Sequence, residues 1–231
     1  MAAGNVMRVQ GQRYRKRRPL PAFLLVLVLG IAATVVWLKV MKEDNEVAGP
    51  AHCDPPATKV AASAGKPAPT LGKPLENTAL DRTEPAPPSS ALVRVTNASG
   101  ERGQARLVTE TLRGFGFTQI GDPGNDALYG DNMPCRAQIR FGAQGTAAAR
   151  TLSLVEPCAE LVRDDRKDAT VELALGDNFD DLKTSLTVRQ LLEQLNDFAE
   201  QHPPAKGGLQ ANAPQADLDP GILTAARNVR C

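Results

Sequence analysis

The chain has 231 residues, which is room for one moderate domain plus tails. Aromatic residues make up only 4%, so any core is built mainly from Val, Leu, Ile and Ala. The formal net charge of +1 hides an asymmetry. Arg8, Arg13, Arg15, Lys16, Arg17 and Arg18 all lie in the first twenty positions, with no acid among them. The rest of the chain is mildly acidic, which argues against nucleic-acid binding.

Residues 1–20 read as a short basic tail, too small to fold, facing the cytoplasm. Pro21 to Leu38 is an uninterrupted apolar run. It is close to the lower limit of about 17–25 residues for a membrane-spanning helix, and longer than the roughly 7–15 residues of a signal-peptide apolar region. Trp37 and Lys39 suit an interfacial anchor, and Glu43, Asp44 and Glu46 follow. The pattern predicts one transmembrane helix over residues 21–41. The positive-inside rule then places the N-terminus in the cytoplasm and residues 42–231 outside the cell membrane. A cleaved signal peptide is the alternative.

Residues 42–90 hold half of the chain's 18 prolines, with Ala, Ser, Thr and Lys between them. Such a stretch buries too little apolar surface to fold alone and reads as a semi-extended tether. Leu71, Leu75 and Leu80 offer docking points for its second half.

The folded part is expected over residues 91–179. Val93 and Val95 alternate with Arg94 and Thr96, the period of a half-buried strand. Asn97, Ser99, Gly100, Arg102 and Gly103 form a Gly-rich turn, with Ser99 as the expected N-cap. Ala105, Val108, Leu112 and Phe115 then make one helical stripe, which Gly114 and Gly116 can end. Phe117 to Ile120 reads as a second strand and residues 121–134 as a turn-rich loop. Ala137 to Phe141 is the next strand, with Ile139 and Phe141 on one face and Gln138 and Arg140 on the other. A helix from Thr146 to Leu154 follows, closed by Pro157. Strands at Leu161-Val162 and Val171 to Leu175 complete the unit. The order predicts an α/β fold, a small two-layer sandwich of two β-α-β-like halves with helices on one face. Residues 180–231 read as a C-terminal helical extension. Thr187 caps a helix whose Val188, Leu191, Leu192, Leu195 and Phe198 line one side, and a short helix runs from Ile222 to Val229. The first of these is expected to pack on the same domain, a partner-binding helix being the alternative.

Little in the chain points to catalysis. The Asn97–Gly103 turn ahead of a helix has free backbone N–H groups, a weak anion-binding signal without a dinucleotide or phosphate-loop fingerprint. The turn is nonetheless the candidate ligand or partner site. Asp177, Asp180 and Asp181 could pair for acid chemistry, yet no apolar residue nearby would tune them. His52 and His202 are the only histidines, and neither lies near a folded element, so a Ser-His-acid triad lacks its base. No cofactor or metal is expected. The four cysteines, Cys53, Cys135, Cys158 and Cys231, are not spaced for zinc and suit an oxidising compartment with two disulfides. Cys135 precedes a strand whose following helix returns antiparallel, which brings Cys158 back to the strand's start. The pairs expected are therefore Cys135–Cys158 and, by elimination, Cys53–Cys231.

The stretch VRVTNASGERGQARLVTETLRGFGF resembles the opening of the LytR C-terminal domain family. IRFG with its helix resembles that family's second half, and VELALGDNF its closing strand and Leu-Gly-x-x-Phe end. The likeness covers residues 91–179. CRAQIRFG, LVEPCAEL and the cysteine contexts further resemble a family of mycobacterial envelope-integrity proteins. These resemblances imply a non-enzymatic, single-pass membrane protein of an actinobacterium. It would serve the cell envelope by contacting an envelope-assembly protein or a wall polymer. The LytR C-terminal domain also occurs appended to ligases that attach polymers to the wall, but no segment here is large enough to hold a ligase. A small wall hydrolase or transferase and an envelope-stress receptor are the alternative readings.

Overall fold

The computed structural model describes residues 27–34, 52–56, 71–203, 216, 218–226, 229 and 231. The chain divides into two compact units, Met1–Glu46 and Val47–Cys231. In the first, residues 27–34 are helical and exposed. The rest of the expected 21–41 span and the basic tail lie outside the described residues. Among the described residues no helix is long and apolar enough to cross a membrane.

The second unit is built on a mixed six-stranded sheet. Its strands are β1 (Lys73–Leu75), β2 (Val93–Asn97), β3 (Gly124–Asn125), β4 (Ala137–Phe141), β5 (Glu160–Arg163) and β6 (Val171–Leu175), in the order β1-β5-β4-β6-β2-β3. β2 pairs in parallel with β3 and β6, and β4 pairs in parallel with β5. The β4–β6 and β1–β5 pairs are antiparallel. Helices α1 (Gln104–Gly114), α2 (Thr146–Val155), α3 (Leu186–Gln201) and α4 (Pro220–Ala225) accompany it.

Strand alternation sorts the side chains. Val93, Val95, Ile139, Phe141, Leu161, Val171, Leu173 and Leu175 all join the main core, together with the apolar stripes of α1, α2 and α3. α1 buries Ala105, Val108 and Leu112. It ends as its glycines suggest: Gly116 takes φ +90°, its N–H bonds Arg113 O, and Phe117 N–H reaches back to Leu112 O. The long α3 packs Val188, Leu191, Leu192 and Leu195 into the same core.

Four local expectations need correcting. Phe117 to Ile120 forms only a single bridge to Val93, and the second strand beside β2 is Gly124–Asn125, inside the stretch read as loop. No periodicity could reveal a two-residue strand. Ser99 does not cap α1. That position is Gly103, at φ +83°, while the Ser99 hydroxyl accepts from Glu101 N–H within the turn. Ser185, not Thr187, caps α3, accepting from Val188 N–H at 3.2 Å. The expected tether also contributes a strand to the fold, since β1 pairs with β5; its second half docks through Leu75 and Leu80 as expected, with Leu80 only 2% exposed in the core. Residues 57–70 of the tether and most of the loop before α4 lie outside the described residues.

Gly176, directly after β6, is a position of close approach. A Cβ there would lie 2.2 Å from Cys135 O and 2.7 Å from Met133 O, both backbone atoms. Gly176→Ala should therefore cost about 1–3 kcal/mol by overpacking, read as a lowered urea midpoint. An unchanged midpoint would mean that the 133–135 backbone yields freely.

Candidate functional site

The Asn97–Gly103 turn follows β2 and feeds α1. Its polar side chains are largely consumed by the fold. Asn97 is 9% exposed, its amide donates to Glu101 O at 2.8 Å, and its Oδ1 accepts from Ser99 N–H at 3.2 Å. Ser99 Oγ lies 2.9 Å from both Asn97 Oδ1 and Gln104 Oε1, and Gln104 in turn donates to Phe179 O. Gly100, Glu101, Arg102 and Gly103 form the exposed rim. Asn97 O also accepts from Asp126 N–H at 2.7 Å, which ties the turn to the 121–134 loop.

That loop covers the sheet face opposite the helices, and a buried polar network lies beneath it. Arg140, 3% exposed, sits at its centre on β4. Its Nη1 donates to Asp126 and to Glu172 Oε1, the latter at 3.0 Å, and its Nε donates to Gln138 Oε1 at 2.9 Å. Gln138 donates to Glu160 Oε2 at 2.8 Å. Asp126 Oδ1 accepts from Leu128 and Tyr129 N–H, so one carboxylate folds the loop and fixes Arg140 together. The Arg140 guanidinium also lies over the Tyr129 ring, 5.5 Å from its centroid. Burial pushes the Tyr129 phenol up, so it stays a donor, to Asp54 O at 3.0 Å. The network thus reaches residues 52–56, where His52 Nδ1 stands 2.6 Å from Glu160 Oε1. Each buried charge of the network has a counter-charge or hydrogen-bond partner, as a low-dielectric site demands. Chemically it is a clamp: it fastens the loop and the 52–56 strap to the sheet.

The disulfides correct the expected pairing. Cys53 bonds Cys135, and Cys158 bonds Cys231. The starting ends of the two strands do lie together, since β4 and β5 run parallel with Gln138 opposite Glu160. The sides differ. Cys135 belongs to a second apolar cluster with Cys53, Ala98, Tyr129, Met133 and Ala174, under the loop. Cys158 follows directly from α2 and bonds to the segment beyond α4, whose Ile222, Leu223 and Ala226 pack on the helix-side core.

A second knot closes the sheet's end. Arg136 donates to Glu156 Oε1 at 2.9 Å, to Asp180 and to Asp181 O, and lies over the Phe179 ring. Desolvation raises the Glu156 carboxyl above its ordinary value, against the pull of Arg136. Asp177, Asp180 and Asp181 therefore do not converge as a carboxylate pair: Asp180 binds Arg136 and Lys183, and Asp177 is exposed. Lys183 and then Arg136 hold the Asp180 carboxyl well below its ordinary 3.8. A depressed carboxyl contributes stability that is present above pH 3.8 and lost as the pH falls toward its folded value. Asp180→Asn should lower stability slightly at neutral pH, the side chain being mostly exposed, and flatten the acid limb of the stability–pH curve below pH 3.8. A wild-type acid limb in that variant would contradict the assignment.

Among the described residues no group of three or more His, Cys, Asp or Glu is placed to hold a metal ion. Arg140, Asp126, Glu160 and Glu172 were not singled out from the sequence. Their signal was Gln138 and Arg140 opposite Ile139 and Phe141, and Glu172 between Val171 and Leu173: polar and charged positions at strand period on a face with no helix to cover it.

The Gly-rich first turn and the Leu-Gly-x-x-Phe close, by which the sequence resembles the LytR C-terminal domain family, lie in the part of the chain that holds the two β-α-β units. Residues 90–179 match that family, described as LytR cell envelope-related transcriptional attenuator. The chain belongs to the family of the cell envelope integrity protein Cei: it is 36% identical to Cei of Mycobacterium tuberculosis over 193 residues, 83% of this chain and 87% of that protein. It is also similar to the crystal structure of the soluble domain of a conserved hypothetical secreted protein from Mycobacterium marinum. That likeness has a TM-score of 0.58 and 34% identity, over 71% of this chain and all of the other. An envelope-related role follows from the family.

Proposed function

We propose that the chain is a membrane-anchored, non-enzymatic extracytoplasmic protein that maintains envelope integrity by binding a wall-building membrane protein or a wall polymer. The observation that carries this reading is the identity to Cei across most of both chains. Two disulfides add support, since such bonds persist in oxidising compartments. The apolar run Pro21 to Leu38 behind a basic tail supports a single span with the N-terminus inside. The exposed rim at Gly100, Arg102 and Gly103 is the candidate contact.

The corrected disulfide bears on where the domain works. Cys53 is bonded to Cys135 within the folded unit, so only residues 42–52 would separate a span ending near residue 41 from the domain. At about 3.1 Å per residue that arm reaches roughly 30–35 Å. The domain would act near the outer leaflet, which favours a membrane-protein partner over mature wall. A spacer inserted before His52 should impair envelope integrity, whereas the same spacer among residues 60–70 should not. Equal tolerance of both would remove the membrane-proximal partner. Crosslinked pull-downs from intact cells should recover an envelope-assembly protein. Recovery of none, with no binding to wall fractions, would sink the binding role itself.

A further inference from the structure

The two disulfides differ in what surrounds them. Cys53 and Cys135 are 3% and 0% exposed, beneath the strap and the 121–134 loop. Cys158 is also buried, at 1%, but its partner Cys231 is exposed. The segment that Cys231 ties down is lightly held. α4 buries none of its six residues fully. Leu218, Ile222 and Leu223 are half-buried against the core, and among the described residues of the segment only Ala226, just after the helix, is fully covered. A short helix with so little burial gains little from packing or from propensity. Disulfide exchange needs a thiolate to reach one sulfur and displace the other. Of the four sulfurs, only that of Cys231 belongs to an exposed residue.

We propose that Cys231 is a thiol-exchange site and that its bond to Cys158 is a reversible latch on the α4 segment. The attacking thiolate sulfur forms a bond to Cys231 Sγ. The Cys158–Cys231 bond breaks, and its electron pair leaves on Cys158 Sγ, which takes up the proton the incoming thiol has lost. One disulfide is exchanged for another, so no oxidant or reductant is consumed. Cys158 stays in its buried position and re-forms the latch when the external thiol departs. With the latch open, residues 218–226 leave the core and uncover the apolar side chains they shield. This site goes beyond the envelope role and does not depend on it.

The test uses the purified, oxidised full chain and graded reduced glutathione, with acid quench, alkylation and peptide mapping. Glutathione should appear on Cys231 and the alkyl group on Cys158, at least about tenfold faster than any opening of Cys53–Cys135. Hydrogen exchange on the same samples should rise in residues 218–226 and stay unchanged in 93–97 and 137–141. Opening of Cys53–Cys135 first or at the same rate would overturn the proposal. So would glutathione on Cys158, or unchanged exchange in 218–226. Cys231→Ser should show the fast 218–226 exchange without any thiol. The wild-type titration carries the test if that variant fails to accumulate.

Discussion

Arg140→Met should lower the folding stability by about 3–5 kcal/mol, a large share of the roughly 5–15 kcal/mol that holds a typical domain. The guanidinium answers Asp126, whose side chain is 0% exposed, and Glu172, at 18%. Removing it leaves a buried carboxylate with backbone N–H donors but no counter-charge on a covered sheet face. The cost is that of the orphaned charge, not of a lost contact, so neutralising the orphan should return part of it. The double variant Arg140→Met/Asp126→Asn should therefore be more stable than Arg140→Met alone. Equilibrium urea unfolding measures both. A loss below about 1 kcal/mol in the single variant would mean that water reaches the network and screens it.

Cys53→Ser with Cys135→Ser should cost roughly 3–5 kcal/mol in the oxidised protein. The chain-entropy estimate hardly distinguishes this bridge from the other, since the separations are 82 and 73 residues. The surroundings do distinguish them. Cutting Cys53 free also releases His52 from Glu160 and Asp54 O from Tyr129, uncovering the Arg140 network to solvent. Cutting Cys231 free releases a lightly packed helix. The Cys53/Cys135 double variant should therefore be the less stable of the two, by unfolding midpoint. Equal midpoints would show that the strap adds nothing beyond loop closure. The double substitution is the clean comparison, because Cys53→Ser alone leaves the Cys135 thiol free to mispair.

The helix-side half of the fold was legible because burial writes itself as period. Val93 and Val95, Ile139 and Phe141, and the stripes Ala105–Val108–Leu112 and Val188–Leu191–Leu195 all face one core. What escaped depends on contacts distant in sequence. β1 has three residues with Pro74 at its centre, and only pairing with β5 makes it a strand. β3 exists because Asn97 O reaches Asp126 N–H across the loop. The strap is fixed by a cysteine 82 positions from its partner, and the sequence alone leaves several pairings of four cysteines open. The Arg140 network was half visible. Gln138 and Arg140 stood on the face opposite Ile139 and Phe141, but nothing local says that a loop will lie on that face. The candidate turn shows the converse. Asn97 and Ser99 looked available for a ligand, yet their hydrogen bonds close the turn on itself and leave only the Gly100–Gly103 rim outside.

The most direct measurement is complementation. A mycobacterial strain lacking its own Cei relative is given this chain at matched abundance and challenged with detergent. Restored survival and restored exclusion of a membrane-impermeant dye are predicted for the full chain, and loss of both for the Cys53→Ser/Cys135→Ser form. A full chain that accumulates, reaches the envelope and restores neither would contradict an envelope-integrity function.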